Sequence, residues 1–591
     1  MGKAMATIDT GDSDVVAREL DGIWIVLLVV AAVLAVVVGQ AGRELLPPDD
    51  LREAEVAREM WLGGDYVIPH LAGLPFVEKP PAFPAAVAAA YAWAGHPSTG
   101  AARAVSTTFA LATLLAVFLL GRLAIGLDGA GLAVALLGLS ARFCRTAHLV
   151  LLDNGLTAAI AFALLFTWMG LAAEEPRAKR RAYAAAGLAL GLSFLFKGFV
   201  GPALFGAGLV TYLATSRRFQ ELRLALGPLP IAGFLAPMLL WVVPFVERAS
   251  PAILRAFFVE NHVGRAVSGF ASNIRPPYYY ALDLWLAFAP ACLMLPFAAF
   301  DFVRGRARRD PGAASMFFLA FGIGPLLLLS LPKAKDSHYA LPAFPPLALF
   351  VADWSSRVLR AGGSRALAWS GGASGMGALA AAGALFATVA LGGLSVRVVA
   401  AGTVLAGFAI IAVRAVRRAD ARRACAAGAA LFALAWMLWF TGPIAAFEVS
   451  RRSVRHVFGA ALAAAGQRTV LLYRPDDGTR GGASFWRNRT AEEEPDPVLL
   501  IERLSHDHEA VALLRRSKGA APIPRALLEA AAGLGVTPVV EARFLGAGEH
   551  ELVLMTVRSP SDRGEQRSGL PVEVEGRGHR TGAAPGPSVG P

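Results

Sequence analysis

The segment 23–40, IWIVLLVVAAVLAVVVGQ, constrains the fold more than any other part of this sequence. As a helix, these ~18 residues are about 27 Å long, close to the thickness of the hydrocarbon core of a bilayer. No small-residue cleavage site follows, so we predict an uncleaved transmembrane helix. Apolar runs recur as far as residue 443, and 55% of the 591 residues are hydrophobic. One soluble core could not bury so much apolar surface, so we predict a polytopic α-helical membrane protein.

Arginine-rich loops orient the chain in the membrane. Five basic loops lie between apolar runs, and the positive-inside rule assigns them to the cytoplasm: residues 174–182, 216–223, 301–310, 355–363 and 414–423. The crossings between them predict about 13 transmembrane helices, with the N-terminus inside, the C-terminus outside and the stretch 80–95 not crossing. The net charge of +12 follows this loop pattern, so we expect no nucleic-acid partner. The three cysteines have no paired spacing and predict no disulfide or zinc framework.

Composition divides the chain into four parts. We predict a cytoplasmic N-terminus over 1–21, a transmembrane domain over 22–443 with a large first outer loop at 42–79, a small outer α/β domain over 444–559 and a disordered tail over 560–591. In the α/β domain, RTVLLYR (468–474), VLLIERL (498–504), PVVEARFL (538–545) and HELVLMTVR (550–558) predict strands, and PRALLEAAAGLG (524–535) predicts a helix. No catalytic motif is visible there.

Ionisable residues gather on the outer side of the predicted membrane domain, where topology does not favour cations. Such groups are costly near a bilayer unless they are paired or hydrated, so their convergence indicates a site. Cations beside carboxylates suit a phosphate head group with an apolar tail, since Lys and Arg neutralise phosphate and a carboxylate handles a proton. The alternative is that outer loops are simply polar. The residues are Asp49, Asp50, Arg52, Glu78, Lys79, Asp153, Lys197, His262, Arg265, Lys333, Lys335, His338 and Tyr339.

The motif VEKPP places Glu78 and Lys79 directly before two prolines. Proline suits the first position of a helix, so we predict that both residues lie at the start of a short helix, whose amide dipoles favour an anion. Lys79 is then well placed to hold a phosphate. The alternative is a lysine that extends to the membrane surface beside an acidic neighbour.

Five segments carry a resemblance to a known family: PPDDLREAEVAREMWLGGDYVIPHLAGLPFVEKPP (47–81), LLDNGLT (151–157), FLFKGFVGPAL (194–204), FFVENHVGRAV (257–267) and LPKAKDSHYALPAFPPLAL (331–349). In this order they resemble the bacterial C-type membrane glycosyltransferases, namely the lipid A aminoarabinose transferase and relatives among the protein O-mannosyltransferases. The resemblance implies a monomeric, multi-pass enzyme of the bacterial inner membrane. It would transfer a sugar from an undecaprenyl phosphate carrier to a glycolipid or protein acceptor at the periplasmic face, among membrane lipids.

The resemblance also implies roles for individual residues. Asp49 matches the family's catalytic base, and Asp153 a second acidic position. Glu78 and His262 match a pair that resembles a divalent metal site, for a zinc-like ion or magnesium or manganese. Departures from the pattern, such as Asp50 for Glu and His148 for Arg, leave the sugar and the acceptor open. The positions assigned to the carrier phosphate are Arg52, Lys79, Arg265, Lys335 and Tyr339.

Three alternatives remain open from the sequence. Asp49 and Asp50 also suit the cap of the helix LREAEVAREM, and capping is compatible with catalysis. A transporter would also place charges in a membrane. It should, however, have paired broken helices near the midplane and an internal repeat, whereas the charges of this sequence gather at one face. A non-catalytic protein that binds polyprenyl phosphate would need Lys79 and Arg265 but not Asp49.

Overall fold

The chain forms two compact units in the computed structural model, which describes residues 11–40, 43–264, 273–305, 314–362, 365–373, 383, 396–418, 420–441, 455–545, 550–558 and 572–575. The membrane unit consists of Met1–Gly42, Tyr66–Ile68 and Val77–Ala445. The C-terminal unit consists of Arg43–Asp65, Pro69–Phe76 and Ala446–Pro591. Most of the segment 42–79 therefore belongs to the same unit as the C-terminal domain.

Helices dominate the chain as far as residue 441. Shorter helical turns of 3₁₀ type occupy Phe219–Glu221, Ala291–Leu293 and Ser337–Ala343, and a π-helix occupies Ala256–Gly264. The described α-helices are α1 (Gly11–Val37), α2 (Asp49–Gly63, in the C-terminal unit), α3 (Ala82–Ala94), α4 (Thr99–Gly138), α5 (Ala141–Ala147), α6 (Asp153–Ala172), α7 (Pro176–Lys197), α8 (Val200–Ser216), α9 (Leu222–Ala225), α10 (Pro228–Arg248), α11 (Pro251–Arg255), α12 (Tyr279–Ala287), α13 (Leu295–Val303), α14 (Ala314–Ser330), α15 (Phe344–Arg360), α16 (Val396–Arg417) and α17 (Ala421–Thr441).

Three of the described helices are long and apolar enough to cross a bilayer, namely α4, α6 and α10. The pair Tyr279–Ala287 and Ala291–Val303 is bent by 117° and counts as a fourth crossing if it is one broken span. Shorter apolar helices occur at Ile23–Val37, Ala82–Ala94, Val200–Ser216 and Ala314–Ser330. The predicted helical membrane domain is confirmed, while the number of about 13 crossings stays a prediction.

Two early apolar stretches differ in length from a simple membrane span. Helix α3 has 13 residues and is about 20 Å long, shorter than the ~30 Å of a hydrocarbon core. Helix α4 has 40 residues and is interrupted at Gly126, whose φ of 84° and ψ of 177° are not helical. Glycine permits this conformation because it has no Cβ. Two apolar stretches of the sequence, 101–121 and 129–140, thus lie on either side of this break.

Small residues allow the membrane helices to approach one another closely. A Cβ on Gly155 of α6 would collide with the ring of Phe196 on α7. A Cβ on Gly187 of α7 would likewise collide with the carbonyl oxygen of Pro230 on α10. Close packing through small residues is a common means of helix association in membranes, where helices gain little from burying apolar surface. This packing fixes the ends of α6 and α7 relative to each other.

The C-terminal unit is an α/β domain whose elements are a two-stranded ribbon from the first loop, β1 (His70–Leu71) and β2 (Leu74–Pro75), followed by α18 (Arg455–Ala465), β3 (Thr469–Tyr473), α19 (Asp477–Phe485), β4 (Glu492–Glu493), α20 (Pro497–His506), β5 (Ala510–Ser517), α21 (Arg525–Gly533), β6 (Thr537–Leu545), β7 (His550–Arg558) and β8 (Val572–Glu575). Its mixed six-stranded sheet has the strand order β4-β3-β5-β7-β6-β8. Strand β3 is parallel to β4 and β5, β7 is antiparallel to β5 and β6, and β8 is parallel to β6.

Each face of this sheet has its own apolar core. Leu471 and Leu472 are neighbours on β3, and because successive side chains of a strand point to opposite faces they join different cores. Leu472 packs with Phe458 of α18, and Leu471 packs with Leu500 of α20. The domain therefore has helices on both faces of the sheet.

The prediction of a strand at VLLIERL is wrong, because these residues lie in α20. Asp496 caps this helix by accepting from the backbone N–H groups of Val498 and Leu499. Leu500, Ile501 and Leu504 are buried, whereas Val498 and Leu499 are exposed. This spacing of three to four residues is that of a helix face, and the strand that the prediction missed is β5. The predictions for β3, β6, β7 and α21 are confirmed.

Residues 572–575 lie within the tail that was predicted to be disordered, and they form β8 alongside β6. The rest of the segment 560–591 lies outside the described residues.

Candidate functional site

Asp153 begins α6 and is buried in the membrane unit, with its carboxylate bonded to the end of α7. The Nζ of Lys197, the last residue of α7, donates to Oδ1 of Asp153 at 2.6 Å. The side chains retain 12% (Lys197) and 2% (Asp153) of their exposure. Removing either partner would leave an uncompensated buried charge, which is strongly destabilising. Since Gly155 lets Phe196 pack against α6, the helix packing itself holds this pair together.

His338 links Asp153 to a second carboxylate. Its Nε2 lies 3.7 Å from Oδ2 of Asp153, and its Nδ1 lies 3.1 Å from Oδ1 of Asp336. Asp336 also accepts from the backbone N–H of Ser337 at 2.7 Å and so caps the 3₁₀ helix that carries His338. Burial alone would raise the pKa of Asp336, but the hydrogen bond and charge of His338 lower it to about 2. Asp336 therefore stays ionised and orients the imidazole toward Asp153.

Two residues predicted to bind the carrier phosphate lie near this carboxylate. The ring of Tyr339 has its centroid 4.2 Å from Nζ of Lys197, a cation–π contact, and stands edge-on to His338 at 4.8 Å. Lys79 interacts electrostatically with Asp153. The membrane unit thus gathers cations, carboxylates and a tyrosine in one place. We call this group the Asp153 cluster: Lys79, Asp153, Lys197, Asp336, His338 and Tyr339.

The irregular segment before Asp153 is held by polar side chains of α4. Nη1 of Arg103 donates to the carbonyl oxygen of His148 at 2.7 Å, and the backbone N–H of Leu151 donates to Oγ of Ser106 at 3.1 Å. Buried backbone groups need such partners, because an unpaired one costs the free energy of a lost hydrogen bond. These bonds fix the point at which α6 begins and therefore the position of Asp153.

His148 is a structural residue in this network. Its Nδ1 lies 2.8 Å from the carbonyl oxygen of Cys144, and its Nε2 lies 2.9 Å from that of Val38. Both ring nitrogens thus face carbonyl oxygens of the backbone, and His148 joins the segment around Cys144 to the chain at Val38.

Lys335 bonds to the backbone in this structure. Its Nζ donates to the carbonyl oxygen of Arg275 at 3.2 Å and to that of Pro332. Its backbone N–H donates to the carbonyl oxygen of Asn273 at 3.1 Å. These contacts join the segment that contains Asp336 and His338 to the chain around Arg275. A role for Lys335 at the carrier phosphate stays a prediction.

The predicted metal pair is only partly described. Glu78 and Lys79 are half-buried and lie ahead of Pro81, the cap of α3, rather than within the helix. Asn261, next to His262 in the π-helix, donates to the carbonyl oxygen of Val77 at 3.3 Å, so the two segments meet. The His262 side chain and the whole of Arg265 lie outside the described residues. Among the residues that are described, no three His, Cys, Asp or Glu side chains form a metal-binding group, so the described donors do not fit a closed metal site.

Asp49 and Arg52 belong to the C-terminal unit, where they lie one turn apart on α2. Nη2 of Arg52 donates to Oδ1 of Asp49 at 2.8 Å and to Oε1 of Glu53 at 3.0 Å, and Nη1 donates to Oδ2 of Asp477 at 3.3 Å. We call these four residues the Asp49 cluster. The guanidinium that was predicted to hold phosphate is thus in contact with three carboxylates.

The neighbours Asp49 and Asp50 have different surroundings. The Asp49 side chain is 38% exposed, whereas Asp50 is 2% exposed and accepts from the backbone N–H of Leu46 at 3.2 Å. Neither carboxylate caps α2, whose cap residue Pro48 offers no side-chain hydrogen bond; Asp50 instead holds the backbone that precedes the helix. Asp49 is the carboxylate of this pair that solvent can reach.

Several members of the two clusters were not assigned a role from the sequence. Lys197 and His338 were noticed as polar residues on the outer side, but their pairing with Asp153 depends on how the helices pack. Asp336 and Asp477 carry no motif. A lysine at the end of an apolar run, opposite an aspartate at the start of another, is the one sequence signal that points to a pair.

Comparison with known proteins confirms the resemblance seen in the motifs. Residues 58–246 match the family described as dolichyl-phosphate-mannose-protein mannosyltransferase. A protein of Edwardsiella ictaluri named undecaprenyl phosphate-alpha-4-amino-4-deoxy-L-arabinose arabinosyl transferase is 31% identical over 338 residues, which cover 56% of this chain and 59% of that protein. The protein of the same name from Pseudomonas savastanoi pv. phaseolicola is 32% identical over 356 residues, with 60% and 65% covered. The chain thus spans about three fifths of the length of these relatives.

The fold is similar to that of a solved membrane protein. The crystal structure of ArnT from Cupriavidus metallidurans bound to undecaprenyl phosphate superposes with a TM-score of 0.68 and 21% identity, over 90% of this chain and 98% of that one. The same protein in the apo state gives a TM-score of 0.68 at 20% identity. The likeness covers both the membrane helices and the domain that follows them, and it confirms the fold.

Proposed function

We propose, from this similarity and from the two clusters, that the protein is an integral membrane glycosyltransferase that takes its sugar from an undecaprenyl phosphate carrier. The observation that supports this most is the Asp153 cluster, in which one buried carboxylate bonds to Lys197 at 2.6 Å, lies 3.7 Å from His338 and interacts electrostatically with Lys79. Ionisable groups in a membrane domain are costly and are generally retained for function. A lipid A-like glycolipid or a protein would be the acceptor.

The Asp153 cluster suits a phosphate that must leave with a negative charge. Ammonium groups form strong charge-assisted hydrogen bonds with phosphate oxygens, while a carboxylate keeps them in position when the site is empty of substrate. Tyr339, which packs on Lys197, adds a hydroxyl that can donate to the same phosphate. Cations held in advance at the departing oxygens lower the barrier, because no reorganisation is needed when charge develops.

The transfer requires one proton acceptor. In our proposal the acceptor hydroxyl or phosphate gives its proton to Asp49, and its oxygen attacks the anomeric carbon of the sugar. The bond from that carbon to the carrier oxygen breaks, and the electron pair leaves with undecaprenyl phosphate. Attack opposite the leaving group inverts the anomeric configuration. Asp49 suits this role because it is the exposed carboxylate at the start of α2.

Our proposal also includes the orientation, with both clusters on the periplasmic side of the inner membrane and about 13 crossings. In a variant without native cysteines, Phe199→Cys should react with an impermeant thiol reagent added to the periplasm, and Arg304→Cys should not. Both side chains are exposed, so accessibility within the protein does not bias the comparison. Labelling of the Arg304→Cys variant alone would reverse the proposed topology.

Replacing Lys79 with alanine should weaken binding of undecaprenyl phosphate. Loss of a charged hydrogen bond costs about 1.5–3 kcal/mol, which corresponds to a Kd roughly 10- to 100-fold higher. Binding of undecaprenyl phosphate to the purified protein measures this directly. Lys333→Ala is the matched control, since Lys333 is an exposed lysine and its loss should change the Kd by less than about twofold. Equal affinity of both variants would exclude Lys79 from the phosphate site.

A deletion strain tests the proposed function in the cell. Mass spectrometry of lipid A and of periplasmic glycoproteins should show one sugar modification that is lost in the deletion strain and restored by the wild-type gene. A strain with Asp49→Asn in place of the wild-type residue should resemble the deletion. Identical lipid A and glycoprotein profiles with and without the gene, under conditions where the protein is made, would refute the proposal.

A further inference from the structure

We infer that the C-terminal domain takes part in catalysis through Asp477, a positioning residue that holds Arg52 in place beside the predicted base Asp49. The inference rests on the proposed function, and it assigns a role to a domain in which the sequence displays no catalytic motif. It comes from a row of alternating charges that connects α2 with the sheet.

The row begins at the predicted base and ends on strand β4. Arg52 bonds Asp49 at 2.8 Å and Asp477 at 3.3 Å. The other carboxylate oxygen of Asp477 accepts from Nη1 of Arg480 at 3.0 Å. Arg480 in turn donates from Nε and Nη2 to the two oxygens of Glu493, at 2.8 and 2.9 Å. Each carboxylate oxygen of Asp477 thus faces a different arginine, so the side chain is fixed from two directions.

Asp49 is the most exposed member of this row. Its side chain is 38% exposed, whereas the exposed fractions of the others are 9% for Arg52, 26% for Asp477, 28% for Arg480 and 6% for Glu493. Partly buried charge pairs are screened less by water and salt than exposed ones. The exposed carboxylate is therefore attached to a support whose members are mostly shielded from solvent.

The backbone of α19 approaches α2 at a position where only glycine fits. A Cβ on Gly481 would lie 2.7 Å from the carbonyl oxygen of Leu51 and 2.8 Å from its carbonyl carbon. Real Cβ atoms do not come this close, so either helix would have to move. Leu51 precedes Arg52, and the contact therefore sets the distance between Arg52 and Asp477, which is the first residue of α19.

The charges around Arg52 favour a positioning role over a phosphate-binding role. Asp49, Glu53 and Asp477 bring three carboxylates to one guanidinium. A phosphate at Arg52 would be repelled by these carboxylates at short range. By contrast, a guanidinium fixed by Asp477 presents one Nη2 donor to Asp49 in a defined direction. The carboxylate is then held with its second oxygen available to accept a proton from the acceptor.

The test compares kinetics of the full-length protein with Asp477 replaced by Asn or Glu. Asp477→Asn should lower kcat about tenfold through a small displacement of the base, with the KM for the carrier-linked sugar changed by less than about twofold. Asp477→Glu, which keeps the charge, should restore most of the rate. In the Asp49→Asn background, Asp477→Asn should lower the residual rate no further, because both changes act on one group.

Glu541→Gln is the matched control. Glu541 forms two 2.8 Å hydrogen bonds with Arg468 in the same domain and has an exposure close to that of Asp477, at 28% against 26%. Its neutralisation removes one carboxylate charge from the domain without touching α2, so kcat should stay near the wild-type value. Equal losses in the two variants would show a general effect on the domain and overturn the inference.

Hydrogen exchange gives a readout that does not depend on activity. Asp477→Asn should accelerate exchange of the α2 amides, and Asp477→Glu and Glu541→Gln should not. Normal kcat and unchanged α2 exchange in Asp477→Asn would overturn the positioning role while leaving the proposed function intact. Absence of transfer by the wild-type protein would overturn the proposed function, and with it the catalytic part of this inference.

Discussion

Asp49→Asn is expected to slow sugar transfer by roughly 10²- to 10⁴-fold, the range typical of losing a general base. Asparagine has nearly the same shape as aspartate but cannot accept the proton, so the loss should fall on kcat. Affinity for undecaprenyl phosphate should stay close to wild type. Single-turnover rates and carrier binding, measured on the same reconstituted preparation, separate the two effects.

Asp50→Asn is the matched control for this prediction. Asp50 is the adjacent carboxylate, but it is buried and bonded to the backbone of Leu46. The amide oxygen of asparagine can still accept that bond, so transfer should fall by no more than a few fold. Near-normal turnover of Asp49→Asn, or an equal loss in both variants, would remove Asp49 from the role of base.

Asp153→Asn is expected to destabilise the protein by about 3–5 kcal/mol, because it leaves the ammonium of Lys197 buried without its carboxylate. Lys197→Met should have a comparable cost by leaving the carboxylate uncompensated. The double variant with Asp153→Asn and Lys197→Met should regain part of the stability, because neither asparagine nor methionine carries a charge that would be left without its partner. Unfolding in detergent measures stability, and the double variant should still fail to transfer sugar at a normal rate.

Asp301→Asn provides the comparison for this pair. Asp301 contacts Arg357 at 3.5 Å, and the Arg357 side chain is 37% exposed. An ion pair this open to solvent contributes about 0–1 kcal/mol, so its loss should be small. Unfolding of Asp153→Asn at the wild-type midpoint, or additive losses in the double variant, would contradict a buried and coupled pair at the start of α6.

The sequence predicts contacts between residues that are close in the chain better than contacts between residues that are far apart in it. Asp49 and Arg52 are three residues apart, so a helix alone brings them together, and the motif around them is specific. Asp477 is 425 residues from Arg52, and their contact exists only because α2 packs on the C-terminal domain. Nothing local to DDGTRGG distinguishes it from an ordinary capped helix start.

Burial and tertiary contacts explain two further differences between the sequence predictions and the structure. The segment VLLIERL has the apolar composition of a strand, and its helical spacing becomes decisive only when Leu500, Ile501 and Leu504 are seen to share one buried face. Lys335 belongs to a motif that suggested a phosphate ligand, whereas its ammonium bonds to backbone carbonyl oxygens. Charge in a motif thus predicts that a site is near, while the partners of each charge depend on tertiary packing.

The proposed glycosyltransferase activity can be measured in a reconstituted bilayer that contains only the purified protein, lipid A and undecaprenyl phosphate bearing a labelled sugar. We expect label to move to lipid A while undecaprenyl phosphate is released in equal amount, and we expect Asp49→Asn nearly to abolish both. Saturable binding of the carrier without label appearing on lipid A, or on a periplasmic protein fraction supplied instead, would contradict the proposed activity and identify a protein that binds the carrier without transferring sugar.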